Sequence, residues 1–118
     1  MKPAPFEYHS PTSLEQALEI KAQYGDDAKL LAGGQSLVPA MNFRIVQPGM
    51  LIDLNRVAEL SYIREEGHVM RVGAMTRERH LELDTVIAKR IPLLHEAAPN
   101  IAHPQIRNRG TLGGSLVN

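Results

Sequence analysis

Apolar positions along the chain fall into two spacings, one helical and one strand-like. Leu14, Ala17, Leu18 and Ala22 recur at helical intervals, and Gly25 stands as a stop, which predicts a short amphipathic helix. Thr12-Ser13-Leu14-Glu15, behind Pro11, reads as its capping box. Lys29 to Ala32 reads as a short buried strand halted by Gly33-Gly34, and Leu37 to Phe43 as a helical turn. Pro48-Gly49 closes the loop that follows. Met50 to Leu54 is a second apolar strand, with a short helical segment expected over Arg56 to Leu60.

Beyond residue 60 the pattern changes. Ser61 to Glu65 and His68 to Gly73 are strand-like and joined by Glu66-Gly67, a predicted hairpin. Thr76 is expected to cap a helix carrying Leu81 and Leu83, and Asp84 another carrying Val86, Ile87 and Ala88. Pro92 suits the first turn of a third helix, Leu93 to Ala98, ended by Pro99 and Asn100. Ile101 to Asn118 reads as a loop ending in a glycine cluster. The order of elements predicts an α+β chain of two unequal halves meeting near residues 55 to 60.

Composition narrows the chemistry. With 13 basic and 13 acidic residues the 118-residue chain is formally neutral, which argues against a nucleic-acid binder acting through bulk charge. The absence of cysteine excludes disulfides, thiolate metal sites, cysteine-ligated iron–sulfur clusters and thiol nucleophiles within this chain. No apolar run approaches a membrane span, and Met1 to Pro11 has no apolar core of a targeting signal, so a cytoplasmic protein is expected. His9, His68, His80, His95 and His103 lack any short ligand spacing, so no metal site is expected.

Five of the nine glycines lie in two segments, Leu31-Ala32-Gly33-Gly34-Gln35-Ser36-Leu37 and Arg109-Gly110-Thr111-Leu112-Gly113-Gly114-Ser115-Leu116. Each ends in a Gly-Gly pair, a small polar residue or two, then Leu. Paired glycines let neighbouring amides converge on one point, a concavity suited to anions and above all phosphate. Ser36, Thr111 and Ser115 add hydroxyl donors. A lone Gly-Gly after a strand is usually a turn; two related segments in a chain without other repeats point more firmly to phosphate. The spacing matches neither the dinucleotide fingerprint nor a Walker loop, so a nucleotide here would use another fold.

These segments also carry a resemblance. Ala32-Gly33-Gly34-Gln35-Ser36-Leu37-Val38-Pro39 and Pro104-Gln105-Ile106-Arg107-Asn108-Arg109-Gly110-Thr111-Leu112-Gly113-Gly114-Ser115-Leu116 resemble the FAD-binding (medium) subunit of molybdenum hydroxylases, the carbon monoxide dehydrogenase and xanthine dehydrogenase family. Leu51-Ile52-Asp53-Leu54, Val72-Gly73-Ala74-Met75-Thr76 and Ile91-Pro92-Leu93-Leu94 support it, in family order over essentially the whole chain.

The resemblance implies an α+β, PCMH-type FAD-binding fold: a small N-terminal α/β subdomain over 1–55 and an incomplete second α+β subdomain over 56–118, with FAD in the crevice between them. It implies that Ala32, Gly33, Gly34, Gln35 and Ser36 wrap the pyrophosphate, with Lys29, Leu30 and Leu31 flanking the adenosine end. Gly110, Thr111, Gly113, Gly114 and Ser115 would serve the pyrophosphate and ribityl chain, and Ile101, Ala102 and Ile106 would approach the flavin. Gln35 and Ser115 stand where relatives often carry His and Asn.

In this family FAD relays electrons from iron–sulfur clusters to an acceptor. The molybdenum cofactor and the clusters sit on partners, a molybdenum large subunit and an iron–sulfur small subunit. No catalytic side chain is implied here, because the chemistry belongs to the cofactor. Arg107 and Arg109 could offset the diphosphate charge at range, although loop arginines are more often simply solvated. His103 lies in the loop expected near the flavin, whereas Asp53 reads as a turn residue and Met41, Met70 and Met75 as core.

Family members continue past the second motif with an Ala-Asp-Pro phrase, so at Asn118 the resemblance implies a truncated second subdomain with uncovered sheet edges and low stability alone. The rival expectations are a non-catalytic fragment that docks to sister subunits without FAD, and another PCMH-type flavin oxidoreductase.

Overall fold

A computed structural model describes residues 1–117, and its chain contacts divide into two units at Glu59 and Leu60. The first unit holds β1 (Glu7–His9), α1 (Leu14–Tyr24), β2 (Ala28–Leu31), α2 (Leu37–Asn42) and β3 (Met50–Asp53). The strands form a parallel sheet in the order β1-β3-β2, with Leu30 opposite Ile52 and Leu31 opposite Asp53. Parallel neighbours need a crossover between them, and α1 and α2 supply the two crossovers. The central strand β3 is buried at Met50, Leu51 and Ile52; Ala17 from α1 and Ala28 from β2 complete this unit's core.

One expectation shifts by a small step here. The N-cap of α1 is Ser13, whose Oγ accepts from the Gln16 amide at 3.1 Å. The Gln16 side chain reaches back to the Thr12 amide at 3.1 Å, so the reciprocal cap sits one residue later than Thr12 and Glu15 suggest. At the far end, Gly25 takes a left-handed φ of 57°, and Lys21 Nζ donates to the carbonyls of Gly25 and Ala28 at 2.7 Å each. A cation on the last carbonyls suits the negative end of the helix and ties α1 to β2. Strand β1 is absent from the sequence reading. Three largely exposed residues carry no periodicity, and only pairing with β3 makes them a strand.

The second unit holds the antiparallel hairpin β4 (Ile63–Glu66) and β5 (Val69–Val72), then α3 (Glu78–Leu83), α4 (Thr85–Arg90), α5 (Pro92–Ala97), α6 (Pro104–Arg107) and α7 (Leu112–Val117). Gly67 turns the hairpin at φ 62°, and ion pairs Glu66–Arg71 at 2.6 Å and Glu65–Arg90 at 2.7 Å decorate its exposed tip. Its core is Leu81, Ile87 and Ala98, with Ile63, Met70 and Leu112 packed against them. Asp84 caps α4 as expected, accepting from the Ile87 amide at 2.9 Å. Thr76 does not cap α3. Its buried hydroxyl instead donates to the Tyr62 carbonyl at 3.0 Å, fastening the turn before α3 to the start of β4. The stretch expected as a loop from Ile101 contains two short helices, α6 and α7. Glycines and prolines obscured their pattern, because Pro104 stands at the first position of α6 and Gly113 and Gly114 lie inside α7.

Candidate functional site

In the first unit, the Ala32–Ser36 segment leaves the carboxyl end of β2 and enters α2, the end of a parallel sheet where α/β folds place ligands. Its shape follows from three contacts. Leu54 donates its amide to the Leu31 carbonyl at 2.9 Å, Asn55 Nδ2 donates to the Ala32 carbonyl at 2.8 Å, and Val38 donates to the Gly34 carbonyl at 3.1 Å. Between those anchors Gly34 adopts φ 77°, where a Cβ would also come within 3.2 Å of Val38 Cγ2. Among the described residues the amides of Gly33, Gly34 and Gln35 donate to no protein acceptor, while the Gln35 side chain folds onto the Gly33 carbonyl at 3.3 Å. Three neighbouring amides around a left-handed glycine, without internal partners, fit a phosphate group.

The second glycine segment is built differently. Leu112 donates its amide to Thr76 at 3.0 Å and Gly113 to Ala74 at 2.8 Å, while Ser115 donates to Thr111 at 3.1 Å. The Gly114 amide is capped by Thr111 Oγ1 at 3.2 Å. Glycine is required here for close approach. A Cβ on Gly113 would lie 2.8 Å from the Ala74 Cβ, and one on Gly110 2.6 Å from a Glu78 carboxylate oxygen. Glu78 is only 2% exposed. It accepts from the Ser115 hydroxyl through Oε1 and donates its amide to the Gly110 carbonyl at 2.9 Å, so it grips both ends of the segment. Two similar strings thus hold different structures, one with unengaged donors and one packed against its neighbours.

The remaining expected residues lie in the link before α6 and in α6 itself. Ile101 is half-buried, Ala102 is exposed, and Ile106 sits within α6. Ala102 takes φ 44°, a left-handed conformation rare outside glycine and asparagine. His103 Nδ1 contacts Gln105 Oε1 at 3.0 Å.

Arg107, read from the sequence as a solvated loop arginine or a distant counter-charge to diphosphate, is instead buried and paired. Its Nε donates to Glu82 Oε2 at 3.1 Å, and the same oxygen takes Arg79 at 3.0 Å. Desolvation pushes the Glu82 carboxyl up, but the two guanidiniums outweigh it and hold it below the usual carboxylate range. Asp53 is a turn residue: its Oδ1 accepts from the Asn55 amide at 2.9 Å, and its Oδ2 from the Tyr8 hydroxyl. That hydrogen bond, with partial burial and the carboxylate's charge, raises the Tyr8 phenol above its ordinary value.

Glu78, Glu82 and Asn55 are positions the sequence reading passed over. Asn55 could have been found, two residues beyond a strand-ending Asp; the two glutamates look like ordinary surface residues of amphipathic helices. A cavity of about 390 Å³ also opens in the second unit beside Tyr62, His80 and Asp84, and none of the expected site residues lines it. No group of histidines and carboxylates among the described residues is arranged to hold a metal ion. No helix among them is long and apolar enough to cross a membrane.

The chain is similar to known proteins along essentially its whole length. Residues 4–118 match the family described as the FAD binding domain in molybdopterin dehydrogenase. The chain is 52% identical over 118 residues to the 6-hydroxypseudooxynicotine dehydrogenase complex subunit alpha of Paenarthrobacter nicotinovorans, covering all of this chain and 40% of that one. It is equally 52% identical to the carbon monoxide dehydrogenase medium chain of Hydrogenophaga pseudoflava, covering 41% of it. A solved structure of carbon monoxide dehydrogenase from Hydrogenophaga pseudoflava superposes with a TM-score of 0.96 at 53% identity, over 98% of this chain and 40% of that chain. The chain therefore spans about two-fifths of the length of the relatives it matches.

Proposed function

This chain belongs to the family of FAD-binding domains of molybdopterin dehydrogenases, and from that premise we propose that it holds FAD in the medium subunit of a molybdenum hydroxylase. The α+β architecture of its solved relatives is the PCMH-type flavin fold implied by the sequence. FAD supplies the redox chemistry when bound, accepting electrons from reduced iron–sulfur centres and passing them to an acceptor.

The chain's own work is to bind and orient. The observation that carries this reading is the Ala32–Ser36 segment, where the amides of Gly33, Gly34 and Gln35 are unengaged beside a left-handed glycine. We assign the diphosphate to that segment, with Leu31 toward the adenosine end. Asn55 and Leu54 hold the carbonyls of Ala32 and Leu31, so the amides stay aimed without spending donors of their own. For Gly110, Thr111, Gly113, Gly114 and Ser115 the support is the family match across residues 4–118, since their amides at 113–115 are engaged within the unit. Ile101, Ala102 and Ile106 are assigned to the flavin end on the same support.

Relatives are named as a medium chain and as a subunit of a dehydrogenase complex. We extend this to a hetero-oligomer in the cytoplasm, in which an iron–sulfur small subunit and a molybdenum large subunit carry the other cofactors. The cysteine-free sequence agrees, since it offers no thiolate for a cluster.

The test is an absorption spectrum of the purified chain, followed by titration with FAD and flavin fluorescence. Flavin bands, or saturable uptake of added FAD, are expected. A colourless protein that also takes up none would overturn the reading and leave a docking fragment in its place.

A further inference from the structure

Arg107 brackets a single residue from both sides. Its backbone amide donates to the His103 carbonyl at 3.1 Å, and its guanidinium donates to the Ile101 carbonyl at 2.9 Å. Between those two carbonyls lies Ala102 at φ 44°. Alanine resists the left-handed region because its Cβ crowds the carbonyl, so this conformation persists only where surrounding contacts impose it. The side chain that makes the second of these contacts is itself fixed. Arg107 is only 6% exposed, and its Nε is held by Glu82, which also pairs with Arg79. A planar guanidinium can serve Glu82 through one nitrogen and Ile101 through another; a lysine ammonium is a point donor without that fork.

We propose that Arg107 is a positioning residue that clamps Ile101 and His103 so that Ala102 is presented in one conformation to the flavin, with Glu82 orienting the clamp. The inference rests on the assignment of residues 101–106 to the flavin end. It differs from a role in offsetting diphosphate charge, because the guanidinium is buried and engaged by half-buried Glu82 and the Ile101 carbonyl.

The experiment compares the whole chain with Arg107→Lys, Arg107→Met and the double variant Arg107→Met with Ala102→Gly. Hydrogen exchange at residues 101–103 reads the clamp directly, without cofactor. FAD affinity, the flavin absorption envelope and the flavin reduction potential read its consequence. Loss of a buried charge-assisted hydrogen bond predicts about a tenfold weaker FAD affinity for Arg107→Met, with a changed spectrum and potential. Faster exchange at residues 101–103 should accompany it.

Glycine at 102 enters the left-handed region without the clamp, so the double variant should recover part of the affinity and the wild-type spectrum. Arg107→Lys keeps the charge beside Glu82. If Arg107→Met does not fold, the lysine variant decides, through exchange at 101–103 and a shifted flavin spectrum. Unchanged exchange in either single variant would overturn the clamp, as would a double variant no better than Arg107→Met. Wild-type FAD binding with a lysine or methionine variant of unaltered spectrum and potential would overturn its role toward flavin. A wild-type chain that takes up no FAD would instead sink the parent reading, while the exchange comparison still tests the clamp.

Discussion

Gly34 is the residue on which the proposed diphosphate site turns. Its φ of 77° strains any side chain there, and a notional Cβ would also sit a tight 3.2 Å from Val38 Cγ2. Gly34→Val is expected to cost about 1–3 kcal/mol of local strain and to abolish FAD uptake by turning the 33–35 amides away from one another. Fluorescence titration checks it, and wild-type affinity would refute the loop as the diphosphate site. Gly34 was legible in the sequence because its Gly-Gly pair follows an apolar strand and recurs in a second related segment. Arg107 was not: the letters do not say whether a guanidinium in a loop meets water, phosphate or a carboxylate 25 residues away.

Among the elements, α7 and α3 show how glycine can serve packing. A Cβ at Gly113 would strike Ala74, so Gly113→Val should push α7 off the 73–76 turn and cost roughly 1–3 kcal/mol, read as a lowered urea midpoint. Gly110→Ala should displace the Glu78 carboxylate, which a Cβ would approach to 2.6 Å. In a Glu78→Ala background the same substitution should cost much less, and additive losses in a double-mutant cycle would refute the contact.

The Arg79–Glu82–Arg107 cluster gives α3 a pH dependence. The folded Glu82 carboxyl titrates below its ordinary value, so its contribution is present above the unfolded carboxyl range and fades as pH falls through the lower folded value. Urea midpoints measured against pH should show that acid loss in wild type and a weaker slope in Glu82→Gln. An identical slope would remove Glu82 from the account. The cap shift to Ser13 and the missed helices α6 and α7 belong to this scale too. A capping pattern tolerates a one-residue slip, and a four- or six-residue helix containing proline or glycine has too few turns to show a period.

For the whole molecule, each unit has its own core. Ile52 and Ile87, both fully buried, anchor them, and replacing either by alanine should cost about 2–5 kcal/mol of its own unit's stability. Site-resolved hydrogen exchange reads each loss where it occurs. Cofactor binding adds a linked term: FAD at a hundredfold excess over Kd should raise stability by about 2.7 kcal/mol. A melting temperature that does not move with FAD would contradict the proposed function independently of the spectrum.

Sequence alone located, to within a residue, the strands read over Lys29–Ala32 and Met50–Leu54, the hairpin, the Asp84 cap and the first glycine loop, although β2 is buried only at Ala28. These are written in neighbouring residues, through apolar runs, side-chain oxygens near orphan amides and glycine where the chain must turn left-handed. Tertiary structure alone decided that β1 is a strand, that Thr76 fastens a turn, and that the second Gly-Gly pair has spent its amides on neighbours. It also decided that Arg107 donates to the Ile101 carbonyl and pairs with Glu82. In each of those cases the deciding partner lies far along the chain, and a donor's role is set by the acceptor folding brings to it.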